Sequence, residues 1–282
     1  DDHFMGTTHV VRGEEWLATL NIHLQLFRTM GWKAPKYVHT AQLMKMDGGS
    51  KRKLSKRKDP ELALDFYNAE GYPVPSVLEY LMTLLNSNFE DWRLANPTAP
   101  MGDFQFTTKK MGNSGSLFDI DKLKDVSKNT ISVMSADQVY DEVTAWAKDF
   151  DPQLYTLLTA DEQKAKAIFA IGRGGAKPRK DIAIWSEVKD YVAFFYEELF
   201  TAASEYPENV STQDALDILT QYRSLYSPAD DGETWFNKVR ELGESLGFAA
   251  KPKDYKKNPD QYKGHVGDVS QVIRLAITGR TN

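Results

Sequence analysis

From Ser135 onward, apolar residues recur every three or four positions behind short polar caps, and this pattern constrains the fold more tightly than any other feature of the chain. Ser135 and Gln138 have the spacing of a capping box, and Val139, Val143 and Trp146 continue on one helical face. Val188, Val192, Phe195 and Leu199 repeat the pattern after Ser186. Ala215, Ile218, Leu219, Tyr222 and Leu225 repeat it after Ser211, and Trp235, Val239, Leu242 and Leu246 follow. A helix with one apolar stripe must bury that stripe against a neighbour. The second half is therefore expected to be an all-helical assembly, with a boundary near residue 131 and no fixed-period repeat.

The first half has a different character. The β-branched run THVV predicts a short strand, and GEEWLATLNIHLQLFRTMG predicts a helix with Trp16, Leu20, Leu24 and Phe27 at helical spacing. Glu14 and Glu15 lie in its first turn, where the helix dipole favours acids. WKAPKYVHTAQLM reads as a turn and a second strand. Strand, helix, strand is the unit of a parallel α/β sheet. A glycine-bearing basic loop is expected over 45–58, then two helices broken at Gly71–Pro75, irregular structure over 91–117 and a short helix in FDIDKLKDVSKN.

Charge is segregated along the chain. Lys45 to Lys58 holds seven Lys/Arg and one Asp in a protein whose net charge is −5. Lys164 to Lys180 holds six Lys/Arg and no acid, and Lys251 to Lys263 holds five Lys and two Asp. These windows carry +15 together, so the remainder carries −20. Such segregation suits a phosphate-rich ligand held at a few points. The chain has no Cys, which excludes disulfides and thiolate metal sites and fits the cytoplasm. No apolar run approaches the ~20 residues of a membrane span, so no membrane partner is expected.

Arg12 follows a strand and precedes a helix, and in open α/β sheets ligands bind at the carboxyl ends of strands. A guanidinium there can hold a carboxylate through two parallel hydrogen bonds. Trp16, one turn on, either stacks on a flat ring or packs in the core. Lys53 and Lys56, three residues apart after a glycine pair, suit a polyphosphate. At ~4 Å and an effective dielectric near 20, each such charge pair is worth about 4 kcal/mol. That is enough to matter for charge growing on phosphorus oxygens. The five histidines form no close cluster with acids, and no zinc, P-loop or nucleophile-elbow signature is present, so no metal site is expected.

HVVRGEEWL (9–17), GWKAPKYVH (31–39), KLSKRK (53–58), GYPVPSVLEYLMTLL (71–85) and QVIRLAITGRT (271–281) together closely resemble the bacterial-type glutamyl-tRNA synthetases of class I. The resemblance covers nearly the whole chain. It implies a mainly α fold. A remnant of a Rossmann-like α/β catalytic domain would occupy 1–42, the signature loop and stem-contact domain 43–130, and an all-helical anticodon-binding domain 131–282. It implies that Arg12 binds glutamate, that Glu15, Trp16, Leu43, Met44 and Ser55 lie along ATP, and that Lys53 and Lys56 are the signature lysines, the second stabilising the α-phosphate as pyrophosphate leaves. Arg57 with Lys177, Arg179, Lys180, Lys256 and Lys257 would contact tRNA. The implied substrates are ATP with Mg2+, glutamate and tRNA(Glu), and the implied state is a cytoplasmic monomer.

The chain departs from the family pattern. It begins beyond the expected place of the family's first histidine- and glycine-bearing signature, so it is expected to be a carboxy-terminal piece unable to form glutamyl-adenylate alone. The loop carries an additional GGSKR, and Asn21 stands at a usual proline. A glutaminyl-tRNA synthetase shares the signature loop but has an anticodon domain of β-barrels, which the capped helices disfavour. A non-catalytic tRNA-binding or regulatory module is the alternative from another class, and intact Arg12, Trp16, Lys53 and Lys56 would be superfluous in it.

Overall fold

A computed structural model describes residues 1–112, 115–203 and 205–281. The chain divides into two compact units, Asp1–Lys189 and Asp190–Asn282.

The first unit opens with β1 (His9–Gly13), a 3-10 stretch (Glu14–Thr19), α1 (Leu20–Thr29) and β2 (Lys36–Thr40). β1 and β2 pair in parallel, from His9 opposite Lys36 to Gly13 opposite Thr40. The expected strand–helix–strand order is present, with the helix opening as 3-10. Phe27 is buried, whereas Trp16 is 51% exposed and so does not serve the core.

Three residues after β2 a second sheet begins, in the order β4-β3-β5. β3 (Leu43–Asp47) runs antiparallel to β4 (Ser50–Lys53) and parallel to β5 (Ser116–Leu117). The basic stretch read from sequence as a loop is therefore a hairpin followed by a turn. The reason is Gly48 and Gly49, with φ of 56° and 86°. Two successive positive φ values are what a two-residue type I′ hairpin turn requires, and only residues such as glycine supply them cheaply.

The helices that follow are α2 (Leu64–Glu70), α3 (Val74–Leu85), α4 (Phe89–Ala95) and α5 (Ile120–Ser132). The break between α2 and α3 falls where the sequence places it. Gly71 has φ 79°, and a Cβ there would come within 2.7 Å of the Trp185 Cβ and 3.0 Å of the Trp185 backbone nitrogen. Trp185 N–H donates to the Gly71 carbonyl (2.9 Å), and Trp146 Nε1 donates to the Asn68 carbonyl (2.9 Å). α4 extends into the start of the stretch expected to be irregular. The remaining described residues of that stretch hold two 3-10 turns and β5.

The expected boundary near 131 falls inside α5, which Asp119 caps. α6 (Ala136–Phe150), α7 (Pro152–Ala160) and α8 (Glu162–Ala170) follow. The Ser135–Gln138 capping box forms in both directions, at 2.8 and 3.1 Å. A core of Leu54, Tyr72, Tyr80, Phe118, Leu123 and Ile184 ties the hairpin to α3 and α5.

The helix expected from Ser186 to Leu199 is shorter: α9 (Val188–Val192) gives way to a 3-10 turn at Ala193–Phe195. The aromatic run Phe194-Phe195-Tyr196 loses side-chain freedom in a helix, which weakens its continuation. The second unit carries α10 (Thr212–Leu225), α11 (Gly232–Ser245), α12 (Pro252–Lys257) and α13 (Val266–Thr278). α10, α11 and α13 pack around Ile218, Val239, Phe248, Val269, Val272 and Ile273. No named strand occurs among the described residues after 131, as the capped periodicity predicts. No helix of the described residues is long and apolar enough to cross a membrane.

Candidate functional site

Arg12 belongs to the first sheet, and Leu43, Met44 and Lys53 belong to the second, which begins three residues after the first ends. Arg12 sits opposite His39, one position before the ends of β1 and β2. Its Nε donates to His39 Nε2 (3.1 Å), and its Nη2 donates to the Trp16 carbonyl (3.2 Å). Its guanidinium carbon lies 5.1 Å from the Tyr37 ring centroid and 5.9 Å from that of Trp16. The guanidinium is thus oriented by an imidazole, a carbonyl and two rings, with no carboxylate of the protein paired to it among the described residues. Thr40 faces Gly13, Leu43 opens β3 three residues later, and Met44 pairs with Lys53 across the hairpin. Glu14 reinforces this link by accepting from the Gln42 amide (3.3 Å). Leu43 packs against the core, Met44 is half-buried, and Glu15 is exposed beside Trp16.

The basic stretch sorts its cations into two groups. Arg52 donates from Nη1 and Nη2 to the two oxygens of Asp59 (2.6 and 2.8 Å) and from Nε to Asp47 (2.6 Å). Lys45 pairs with Glu61, with Asp59 3.8 Å away. Those two cations are neutralised within the fold. The bidentate pairing holds the Asp59 carboxyl far below the usual carboxylate range, and the Ser55 amide adds to the effect. The Glu61 hydrogen bond raises the Lys45 ammonium against the cost of its burial. Arg52 therefore adds no free charge to the basic stretch. An acid seven residues on claims it, because the hairpin and turn fold that acid back beneath the strand.

Lys51, Lys53, Lys56, Arg57 and Lys58 are exposed and make no ion pair among the described residues. Lys53 ends β4, and Lys56 to Lys58 form a turn closed by the Lys58 and Asp59 amides on the Ser55 carbonyl (3.0 and 2.9 Å). Between them Leu54 is buried, and its amide donates to the Leu43 carbonyl (3.1 Å). Two cations therefore project on either side of an anchored Leu-Ser pair. At neutral pH this arrangement concentrates positive charge at one edge of the second sheet, where it can stabilise anionic oxygens.

The expected tRNA-contacting residues beyond the hairpin fall on both units. Lys177, Arg179 and Lys180 lie in the first unit, in the exposed loop after α8, where Arg179 pairs with Asp181 (2.6 Å) and its amide donates to the Gly172 carbonyl (3.0 Å). Lys256 and Lys257 form the last turn of α12 in the second unit and are exposed. Among the described residues, no group of three or more His, Cys, Asp or Glu side chains is placed to hold a metal ion. Three contributors escaped the sequence reading. His39, counted there only as an isolated histidine, orients Arg12; its place opposite Arg12 follows from strand register alone. Asp59 and Glu61 stand in the sequence directly after the basic run, a signal that the count of basic residues passed over.

Residues 1–125 match the family model described as tRNA synthetases class I (E and Q), catalytic domain. Over its whole length the chain is 51% identical to a curated protein named glutamate–tRNA ligase from Acetivibrio thermocellus, covering 52% of that protein. It is 49% identical to the one from Clostridium beijerinckii, again covering all of this chain and 52% of the relative. A glutamate–tRNA ligase from Thermus thermophilus is 30% identical over 99% of the chain and 53% of the relative. The chain thus spans about half the length of the curated relatives it matches. A crystal structure of glutamate-tRNA synthetase from Elizabethkingia anophelis matches the fold with a TM-score of 0.63 at 20% identity, covering 97% of this chain and 55% of that one.

Proposed function

We propose that this chain supplies the signature hairpin, stem-contact segment and helical anticodon-binding segment of a glutamate–tRNA ligase, an enzyme that activates glutamate with ATP and transfers it to tRNA(Glu). The observation that carries the proposal is the 51% identity to a protein of that name across all 282 residues. The proposed division of labour follows the sequence expectation: 1–42 for the nucleotide-binding fold, 43–130 for the hairpin and stem contact, and 131–282 for the anticodon.

Arg12 holds the glutamate through its guanidinium fork, which His39 and the Trp16 carbonyl orient. Trp16, Glu15, Leu43 and Met44 border the nucleoside. Lys53, Ser55 and Lys56 take the phosphates. A carboxylate oxygen of glutamate attacks the α-phosphorus of ATP, and the bond to pyrophosphate breaks. Charge grows on the phosphoryl oxygens in this step, and a fixed ammonium nearby lowers the barrier without reorganising at the moment of reaction. Mg2+ enters with ATP, since its phosphates are the anionic ligands that such a site gathers. Arg57, Lys177, Arg179, Lys180, Lys256 and Lys257 contact tRNA. The glutaminyl reading is not favoured, because the curated relatives above are glutamate ligases and the second half is helical.

The test is binding of tRNA(Glu) and of an unrelated tRNA to the chain at two salt concentrations. The expected result is tighter binding of tRNA(Glu) at both. Equal affinity at both salts overturns the proposal in favour of general nucleic-acid binding.

A further inference from the structure

Asp59 is the most buried acid of the chain, with a side chain 1% exposed, and nothing in the proposed chemistry uses it. Burial of a carboxylate is costly unless every oxygen is matched by donors. Here both oxygens are matched. Oδ2 accepts from Arg52 Nη1 (2.6 Å) and from the Ser55 amide (2.8 Å), and Oδ1 accepts from Arg52 Nη2 (2.8 Å). Arg52 Nη1 also reaches the Lys53 carbonyl (3.3 Å), and Arg52 Nε reaches Asp47 at the hairpin tip (2.6 Å). One buried carboxylate therefore fixes the backbone on both sides of Leu54, at Lys53 and at Ser55.

We propose that Asp59 is a positioning residue for the phosphate-binding lysines: through Arg52 and the Ser55 amide it sets where Lys53 and Lys56 project. Arg52 is then a structural cation and not a phosphate ligand. This inference rests on the reading of Lys53 and Lys56 as phosphate-binding residues. Its energetic logic is preorganisation. Five unpaired cations within eight residues repel one another, and a turn left unbraced would spread them and would have to be ordered at binding. The ion pairs of Arg52 with Asp59 and Asp47 hold the turn without engaging the free lysines.

The experiment uses the 282-residue chain with inorganic tripolyphosphate as the probe, read by calorimetry, and hydrogen–deuterium exchange over residues 51–58. Exchange over α13 in the second unit serves as the control for folding. Asp59→Asn is expected to speed exchange of the Ser55 amide about tenfold and to weaken tripolyphosphate binding about tenfold, with α13 unchanged. Asp59→Glu, which restores the carboxylate, is expected to recover part of both. Lys53→Ala with Lys56→Ala should weaken tripolyphosphate binding while leaving Ser55 exchange as it was. If the unsubstituted chain binds tripolyphosphate and Asp59→Asn matches it in both readouts, the positioning role is overturned alone. If the unsubstituted chain does not bind tripolyphosphate, the reading of Lys53 and Lys56 falls, and the positioning role falls with it.

Discussion

Arg52 donates to both oxygens of Asp59, and this contact gives the hairpin a pH dependence of definite sign. A carboxyl held below its unfolded value of about 3.9 contributes stability above that pH and loses it as pH falls toward the folded value. The difference in urea midpoint between the unsubstituted chain and Asp59→Asn should therefore stay constant between pH 5 and 7 and shrink below about pH 4. A difference that already changes between pH 5 and 7 contradicts the arrangement. The lysines carry a different prediction. In the full-length ligase to which the chain is proposed to belong, Lys56→Ala should lower kcat of ATP–pyrophosphate exchange about a hundredfold, with the KM for ATP little changed, because the ammonium acts where charge grows. A raised KM with unaltered kcat would make Lys56 a ground-state contact only. The concentration of positive charge around Lys53 and Lys56 was legible in the sequence because it is a local count. The Arg52–Asp59 pairing was not, because it joins positions seven apart that meet only once the hairpin register and the turn are known.

At the scale of elements, the amphipathic helices with polar caps were legible to within a few residues, since cap and stripe are local signals. The Ser135–Gln138 box forms as read. Ser135→Ala should cost about 1 kcal/mol, measurable by urea denaturation. The hairpin was missed although Asp47-Gly48-Gly49-Ser50 has the composition of a type I′ turn; a run so rich in charge reads first as a solvated loop. The break at Gly71 was read correctly, but its reason lies far along the chain. Trp185 approaches so closely that a Cβ cannot be placed without displacing it, and the backbone is left-handed there as well. Gly71→Ala combines both penalties and is expected to destabilise the first unit by about 2–4 kcal/mol, read as a lowered melting temperature. A change below 0.5 kcal/mol would mean that the Trp185 contact yields freely.

For the whole molecule, the boundary at 131 marked a change in sequence character, whereas the compact units divide at 189 and 190. A change from strands to helices shows in local periodicity. The edge of a core depends on which helices pack together, and α5, α6 and α8 share the first unit's burial. The second unit has a core of its own, in which Ile218, Val239, Phe248, Val269, Val272 and Ile273 are nearly inaccessible to solvent. Each fully buried side chain of this kind contributes roughly 1.5–3 kcal/mol, which is sufficient for a domain above the ~40-residue limit of independent folding. Residues 190–282 expressed alone are therefore expected to give a helical circular dichroism spectrum and a single cooperative melt. Phe248→Ala removes the largest side chain of that core and should cost about 3–5 kcal/mol, against a total of roughly 5–15 kcal/mol for a domain. In the intact chain the same substitution should lower the melting of the second unit while the exchange protection of α3 and α5 stays in place. Loss of protection in α3 and α5 at the same temperature would show that the two units unfold as one.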